Sequence, residues 1–491
     1  MKKSTIIISF TLLTFILIIL IIFHKYYFDS NIIFSDVLCV GAGVSSAYMS
    51  YKLWKDGVPC SVNVIESQSM MGGRVRSVYS NVYSTNKNDV IYGELGGMRI
   101  FEVPPMKKLF DLIKKFNIKL INVSLEDKNN IFFYKGVSYK KKEVFLSTGE
   151  NVTDVEKIAM NNLKQVYPNF SGENVFKYEE LRDISLKQYL HKFANLSEAD
   201  YDLWLCYYGY NYFTDDIQVA PFLYDSNYYN TIYADKQFYL KDGMITLVRE
   251  LFKRSNANIT YNTNAIYIEK DKTNGLNVVH TINNENQYKK YISKYLVLGI
   301  TPKHFNQINI IKPIPISKDR LYRISQLRQA SLFKCFLKWN KEDIWWGPGK
   351  QFQNGKSTTD LLIRQVHYYN DEDILVYNIG SYANKLNEMF VENPAKAQKY
   401  IFSCIQKMHP FKIPEPNYVY TIYKYWPDGA AKWILGSDVV ESCEVIPNGI
   451  TDNSNIFVVG DSYSVTQGWV IGCFDSVDVA YPLLKNQINK N

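Results

Sequence analysis

The stretch DVLCVGAGVSSAYMSYKLWKDGVPCSVNVIE, residues 36–66, decides the fold. DVLCV is an apolar run of strand length, and VSSAYMSYKLWKD has the longer period of a helix. Gly57 stops that helix, and SVNVI reads as a second strand ending at Glu66. Strand, helix and strand in this order form a βαβ unit, the usual start of a parallel sheet. At the first turn stands Gly41-x-Gly43-x-x-Ser46. Gly41 permits the tight turn, Gly43 lets backbone approach a pyrophosphate, and the helix N-terminus supplies N–H groups and positive dipole. Ser46 replaces the third glycine of such motifs and is small enough for close helix–strand packing. Glu66, 25 residues after Gly41, can take both ribose hydroxyls of an adenosine, and its charge argues against a 2′-phosphate. The plainer alternative is a Gly-rich turn in an unrelated α/β protein.

A chain of 491 residues exceeds one compact unit, so two lobes are expected. Its 46% hydrophobic and 21% charged residues describe a folded protein. The net charge of +8 is modest for this length and the lysines are scattered, which argues against a nucleic-acid partner. The seven cysteines form no CxxC pair and no Cys/His cluster, so no metal site is expected. Cys39 reads as a buried thiol, with at most one or two disulfides among the others.

Residues 5–23 carry no charge and are mostly Ile, Leu and Phe; as a helix they would span about 28 Å, close to the hydrocarbon thickness of about 30 Å. The run is longer than a signal-peptide core and is followed by HKYYF, which offers no cleavage site. The expectation is an uncleaved, single-pass signal-anchor in the membrane, with the catalytic domain on the extracytoplasmic side; secretion after cleavage is the alternative. Five glycosylation triplets, at Asn122, Asn151, Asn169, Asn195 and Asn258, accord with export.

From Met106 to about Asn230 the sequence turns to lysine-rich, helix-like segments with aromatic faces, such as MKKLFDLIKKF and LSEADYDLWLCYYGYNYF. Strand-like segments return at NITYNTNAIYIEK and KYLVLGI, and the chain closes with NIFVVGD and a helix from about Gly468. These shifts suggest a sheet domain assembled from separated segments with a second lobe inserted between them.

Beyond Glu66 comes Met71-Gly72-Gly73-Arg74. Glu66 followed by GGR resembles the flavin amine oxidase superfamily, in which this stretch wraps the FAD pyrophosphate. NIFVVGDSYSVTQGWVIGCFDS resembles that family's closing motif: by the resemblance, Asp461 faces the ribityl or phosphate, and Gly468-Trp469 lies at the flavin ring. Most relatives carry Glu at position 461, so the shorter Asp implies a contact through water. YNTNAIYIE resembles the strand whose backbone reads the adenine, at Ala265. The implied architecture is α/β: a Rossmann-like FAD-binding domain of amine-oxidase type with an inserted α+β substrate domain, a helical lobe and an N-terminal transmembrane anchor. The expected segments are anchor and stalk at 1–30, FAD-binding domain at 31–105, 232–302 and 441–491, helical/substrate lobe at 106–231, and substrate-binding domain at 303–440.

Within the superfamily, GELGGMRI resembles the L-amino-acid oxidases, in which this arginine, here Arg99, grips the substrate carboxylate. A guanidinium fork fits a carboxylate bidentately. The alternative is an Arg99 neutralised by Glu94. Gly97 and Met98, beside it, are expected at the flavin. Lys334 in ASLFKCFLKW matches the family's lysine that holds a water against flavin N5, with Lys338 the alternative on the same stretch. In TDLLIRQVHYY, Tyr368 is expected at the substrate carboxylate, with Tyr369 shifted by one register and Arg364 structural. Trp426 or Trp433 walls the flavin pocket.

The implied reaction is oxidative deamination of an L-amino acid to a 2-oxo acid, ammonia and hydrogen peroxide, with O₂ as acceptor. The partners expected are an amino acid or amine, O₂ and the membrane, with a homodimer left open. The rivals are a monoamine or polyamine oxidase, a non-catalytic membrane-anchored flavoprotein and an NAD-dependent dehydrogenase.

Overall fold

The computed structural model describes residues 32–80, 91–124, 126–212, 215–229, 237–310, 314, 316–368, 373–452 and 454–490. The apolar run 5–23 and Tyr369 lie outside these. Among the described residues, no helix is long and apolar enough to cross a membrane.

The opening unit folds as its periodicity predicts: strand Ile32–Val40, helix Val44–Lys55, then strand Val62–Ile65, with Gly57 in the left-handed region at φ 63°. The two strands pair in parallel, in register from Val37–Val62 to Val40–Ile65. Six further strands complete an eight-stranded sheet: Asn258–Thr260, Thr263–Lys270, Asn277–Asn283, Tyr288–Leu298, Asn309–Ile310 and Ile456–Val458. Chain segments hundreds of residues apart therefore share one sheet, and Ile456–Val458 lies parallel to Tyr288–Leu298. Strand Ile32–Val40 is central and ends in a fully apolar run, because a separate apolar cluster packs on each of its faces, Val37 and Cys39 in one and Leu38 and Val40 in the other. One cover is the C-terminal helix Val470–Lys490, whose Phe474 stacks on Tyr48 of the first helix with ring centroids 3.9 Å apart.

The second body is a seven-stranded sheet in the order Ile422–Trp433, Leu327–Lys338, Asp373–Ile379, Gln365–Tyr368, Lys356–Thr359, Ile131–Tyr134, Val137–Lys140. Here the expected division needs correcting. The helical/substrate lobe at 106–231 does not stand apart from 303–440, because two of its strands extend the sheet that segment builds. The first sheet also runs past 302, taking Asn309–Ile310 as an edge. Both differences have one cause: a strand of two to four residues is too short to show alternation in the sequence. The helices expected from MKKLFDLIKKF and LSEADYDLWLCYY are present at Lys107–Lys115 and Glu198–Tyr208. All seven cysteines are free thiols, so the disulfides allowed for above are not formed. Burial pushes the Cys39 thiol up to about 12.

Candidate active site

One cavity of about 670 Å³ runs from the Gly-rich turn to the junction of the two sheets. At its first end the wall is mostly backbone. Gly41 sits at φ 92°, and a Cβ there would lie 2.7 Å from the Gly299 carbonyl oxygen, so strand and turn close only on glycine. A Cβ at Gly43 would meet nothing within 4 Å, which leaves an open approach over the N-terminus of helix Val44–Lys55. That helix has no side-chain cap, so its first N–H groups keep their capacity for an anion. The MGGR loop is drawn alongside by the Gly72 N–H, which donates to the Ala42 carbonyl at 2.8 Å.

Glu66 is buried at the cavity wall, with its carboxylate accepting from the N–H groups of Ala42 and Gln68, each at 2.8 Å. These bonds fix the carboxylate and leave lone pairs for a diol. Arg74 and Asp461 line the cavity and pair with each other, and Asp461 also accepts from the Gly468 N–H at 3.2 Å. Asp461 thus ties the MGGR loop directly to the closing turn. Gly73, Gly97, Met98, Gly468 and Trp469 also line the cavity.

Two of the expected cofactor residues stand elsewhere. Ser46 faces away from the cavity into the helix–strand contact, its Oγ filling the space a Gly299 Cβ would need; Ser45 is the serine at the wall. Ala265 is not at the wall either: it precedes a register break in strand Thr263–Lys270 and packs beside the second apolar layer of the sheet.

At the other end the walls are side chains. Gly96 allows the chain to turn into the cavity, since a Cβ there would fall 1.8 Å from the Arg74 carbonyl oxygen. Three residues on, Arg99 enters the cavity. Its Nη2 donates to the Tyr210 hydroxyl at 3.2 Å, while Nη1 is buried without a partner among the described residues. Glu94 does not neutralise it, because that carboxylate accepts from Ser77 Oγ at 2.9 Å and the Met244 N–H at 2.8 Å. Burial opposes the Arg99 charge while the neighbouring Tyr210, Tyr239 and Tyr377 favour it, and the guanidinium stays protonated. A buried cation with a free edge in a cavity is costly unless an anion arrives there.

Lys334 projects from strand Leu327–Lys338 of the second sheet to the same place. Its Nζ donates to the carbonyls of Glu94 at 3.0 Å and Gly96 at 2.5 Å and lies 5.4 Å from the Tyr377 ring centroid. Burial pushes its amine down to about 7, with Arg99 adding to the shift and Glu94 opposing it. Lys338 is buried away from the cavity, so Lys334 is the lysine at the site. Trp426 lines the cavity and its indole N–H donates to the Leu95 carbonyl at 2.6 Å, whereas Trp433 is buried between the sheets.

Tyr368 does not reach the site. Its hydroxyl bonds Ser357 Oγ at 2.8 Å and His409 Nε2 at 2.7 Å inside an aromatic core. The reason is the pleat: Gln365 pairs with Tyr377 and Tyr368 with Ile374, so Tyr368 and Tyr377 point to opposite faces. Tyr377 and Tyr210 are the tyrosines that line the cavity beside Arg99, with ring centroids 6.0 Å apart. The signal for Tyr377 was the direct partner of Lys334 across the strand pair, which shares its face. Arg364 is structural, donating to the carbonyls of Thr359 and Leu205 at 3.1 and 3.3 Å. Among the described residues, no group of His, Cys, Asp and Glu is placed to hold a metal.

A turn open to a diphosphate, a carboxylate set for a ribose and a reactive chamber at the far end are the plan of a dinucleotide-dependent oxidoreductase. The comparisons with known proteins narrow that plan. The sequence model for flavin containing amine oxidoreductases matches residues 43–476, and the chain belongs to that family. Among curated proteins it is 24% identical to an L-amino-acid oxidase of Trimeresurus stejnegeri, over 88% of this chain and 84% of that one. An uncharacterised protein of Acanthamoeba polyphaga mimivirus is 24% identical over 91% of this chain and 93% of the viral one. Among solved structures, putrescine oxidase bound to putrescine superposes with a TM-score of 0.67 at 14% identity, covering 93% of this chain and all of that one, which establishes the shared fold. FAD is the cofactor these matches imply, and the open face at Gly43, the uncapped helix and the tethered Glu66 fit it.

Proposed function

We propose that the protein oxidatively deaminates an L-amino acid, converting the substrate, O₂ and water into a 2-oxo acid, ammonia and hydrogen peroxide. The observation that carries this reading is the Arg99 guanidinium, buried in the cavity with Nη1 unpaired and no acid bound to it among the described residues. FAD, when bound, accepts the two electrons and passes them to O₂. Glu66 would hold its ribose, the turn at Gly41 and Gly43 with Gly73 and Arg74 its pyrophosphate, and Gly468, Trp469, Gly97 and Met98 its far end.

The chain's own residues then bind and orient the substrate. Arg99 takes the carboxylate with the edge left free by Tyr210, which fixes the α-carbon relative to the sheet junction. Tyr210, Tyr377 and Trp426 wall off water. Lys334, with an amine near neutrality at physiological pH, holds or relays a proton between the substrate amine and solvent.

A second reading, oxidation of an amine, draws support from Asp225. This carboxylate lines the same cavity, is pushed up to about 6 by burial against the pull of Lys432, and has a buried Oδ1 without a partner. The two readings separate in one experiment. The purified, yellow protein is mixed anaerobically with each of twenty L-amino acids and with putrescine and other amines. Bleaching by amino acids, with peroxide released on admitting air, is the expected result; bleaching by amines alone would replace the first reading with the second. We further propose that residues 5–23 anchor the protein in a membrane, which alkaline carbonate extraction of the full chain checks.

A further inference from the structure

The chamber beyond Arg99 holds two cations for which deamination has no use. Lys356 lines it, with Nζ 5.1 Å from the ring centroid of Tyr210, the tyrosine whose hydroxyl meets Arg99. Lys141 lines it too, with Nζ 5.1 Å from the Tyr207 ring and 3.5 Å from the Lys356 carbonyl oxygen. Among the described residues, neither lysine has a carboxylate within ion-pairing distance. Their placement is built in: the Lys141 N–H donates to the Asn130 carbonyl at 2.8 Å, and the Lys356 N–H donates to Asn130 Oδ1 at 3.1 Å. One buried asparagine thereby fixes both lysine backbones side by side.

Like charges brought together in a low dielectric repel. Burial, with the neighbouring Lys356, lowers Lys141 to about 7; burial, with Arg99, lowers Lys356 to about 8. The same field reaches His367 behind the wall: burial holds its imidazole well below the usual range, and Arg99, Lys356, Lys334 and Lys141 all add to the effect. Acids at the wall offset this field only in part: Glu126, exposed at the rim, opposes the shift of both lysines, half-buried Glu156 opposes that of Lys356, and Asp225 is engaged by Lys432 at 3.5 Å.

We propose that Lys356 and Lys141 form the side-chain subsite for an acidic L-amino acid. With the α-carboxylate on Arg99, a distal carboxylate of the aspartate or glutamate class lies against the two lysines. Such a dianion would span Tyr210 from its hydroxyl edge to its ring face, which is where the two cationic poles stand. The assignment rests on the amino-acid reading of the Arg99 site.

The test uses the FAD-loaded protein and the ratio of kcat/KM for L-glutamate to that for its uncharged isostere L-glutamine, repeated for L-aspartate and L-asparagine. The wild type is expected to favour an acid over its amide, and Lys356→Met to lower that ratio by about 30-fold, as for a buried charge pair losing one partner. Lys141→Met should lower it in the same direction. If either variant fails to fold, the wild type alone decides: glutarate should perturb the flavin absorbance at lower concentration than butyrate. Amides or apolar amino acids outperforming the acids, or glutarate binding no better than butyrate, overturns the subsite and leaves the deamination reading standing. A preference for L-lysine or L-arginine also overturns it, in favour of Asp225. Bleaching by amines alone overturns both.

Discussion

The two ends of the cavity are built by opposite means. The dinucleotide end is backbone: Gly41, Gly43, Gly72 and Gly73 bring main chain close, and Glu66 is held by main-chain N–H groups. The substrate end is side chain: Lys334, Lys356 and Tyr377 come from three strands of the seven-stranded sheet, and Arg99 and Tyr210 join them from segments outside it. A backbone site is encoded locally, because the turn that makes it is a run of consecutive residues. A side-chain site is encoded in strand register and helix ends, which no short window contains. Substitutions should therefore split into those that abolish chemistry with the flavin still bound and those that weaken the flavin with chemistry intact.

The sharpest version of that split is Arg99→Leu. Removing the Arg99 guanidinium should lower kcat/KM for amino acids by about 10³-fold, the scale of an unpaired buried carboxylate. The 450 nm region absorbance of the purified protein should persist, because the dinucleotide end is untouched. Loss of the yellow colour together with activity would show that the two ends are not separable at this residue.

Lys334→Met comes next, at about 10²-fold in turnover, the typical scale of a positioned proton donor or acceptor. Its signature is in pH. The wild-type rate should rise through about pH 7 as the Lys334 amine loses its proton, and the variant should lack that limb. Stability supplies an independent sign. The folded amine titrates near 7 against an ordinary 10.5, so between these values the unfolded chain binds the extra proton and wild-type stability rises with pH. The melting temperature of the variant relative to wild type should accordingly shift in its favour as pH falls from 9 to 6. An unchanged difference across that range would mean the lysine is not buried in the charged state's path.

Glu66→Gln probes the other end. Ala42 and Gln68 donate to different oxygens, so the amide can keep only one of the two bonds, accepts more weakly there, and turns its NH2 toward the other N–H. FAD affinity should fall by about tenfold, within the range for a hydrogen bond to a charged group, while kcat at saturating FAD stays close to wild type. Equilibrium dialysis against FAD measures the first quantity and steady-state turnover the second.

The sequence showed these two ends unequally, for the same physical reason. The βαβ unit is legible because a strand buried on both faces and a helix of 12 residues leave different periods, and the Gly-rich turn sits where one becomes the other. Arg99 is legible because Gly96 stands three residues before it, and only glycine passes the Arg74 carbonyl. Ser46 shows the limit of a motif, since its small size served packing against Gly299 while the cavity wall passed to Ser45. Tyr210 was hidden behind the αL turn at Gly209 that ends its helix, in a segment where tyrosine is common. Lys141 and Lys356 were hidden because Asn130 joins them across 215 residues of chain. The strand Asp373–Ile379 is buried on nearly every residue, so alternation cannot say which face Tyr377 takes. Its partner Lys334 could have said so, once the pairing was known.

The smallest expected effect on activity belongs to the residue whose placement the sequence had wrong. Tyr368→Phe removes a hydroxyl that bridges Ser357 and His409, both buried, and leaves two polar groups without their partner. That should lower stability by about 1–3 kcal/mol. Yet the ring stays in its stack with Phe352, at 5.3 Å between centroids, and nothing in the cavity loses a contact. Turnover measured well below the melting transition should thus stay within about twofold of wild type, surface-like for chemistry though core-like for folding. Tyr377→Phe makes the matched control, since its hydroxyl helps hold the Arg99 charge and its ring lies over Lys334. If the Tyr368 variant proved the more damaging of the two to KM for amino acids, the alternation that turns it away from the chamber would be wrong, and with it the register of the strand that places Tyr377.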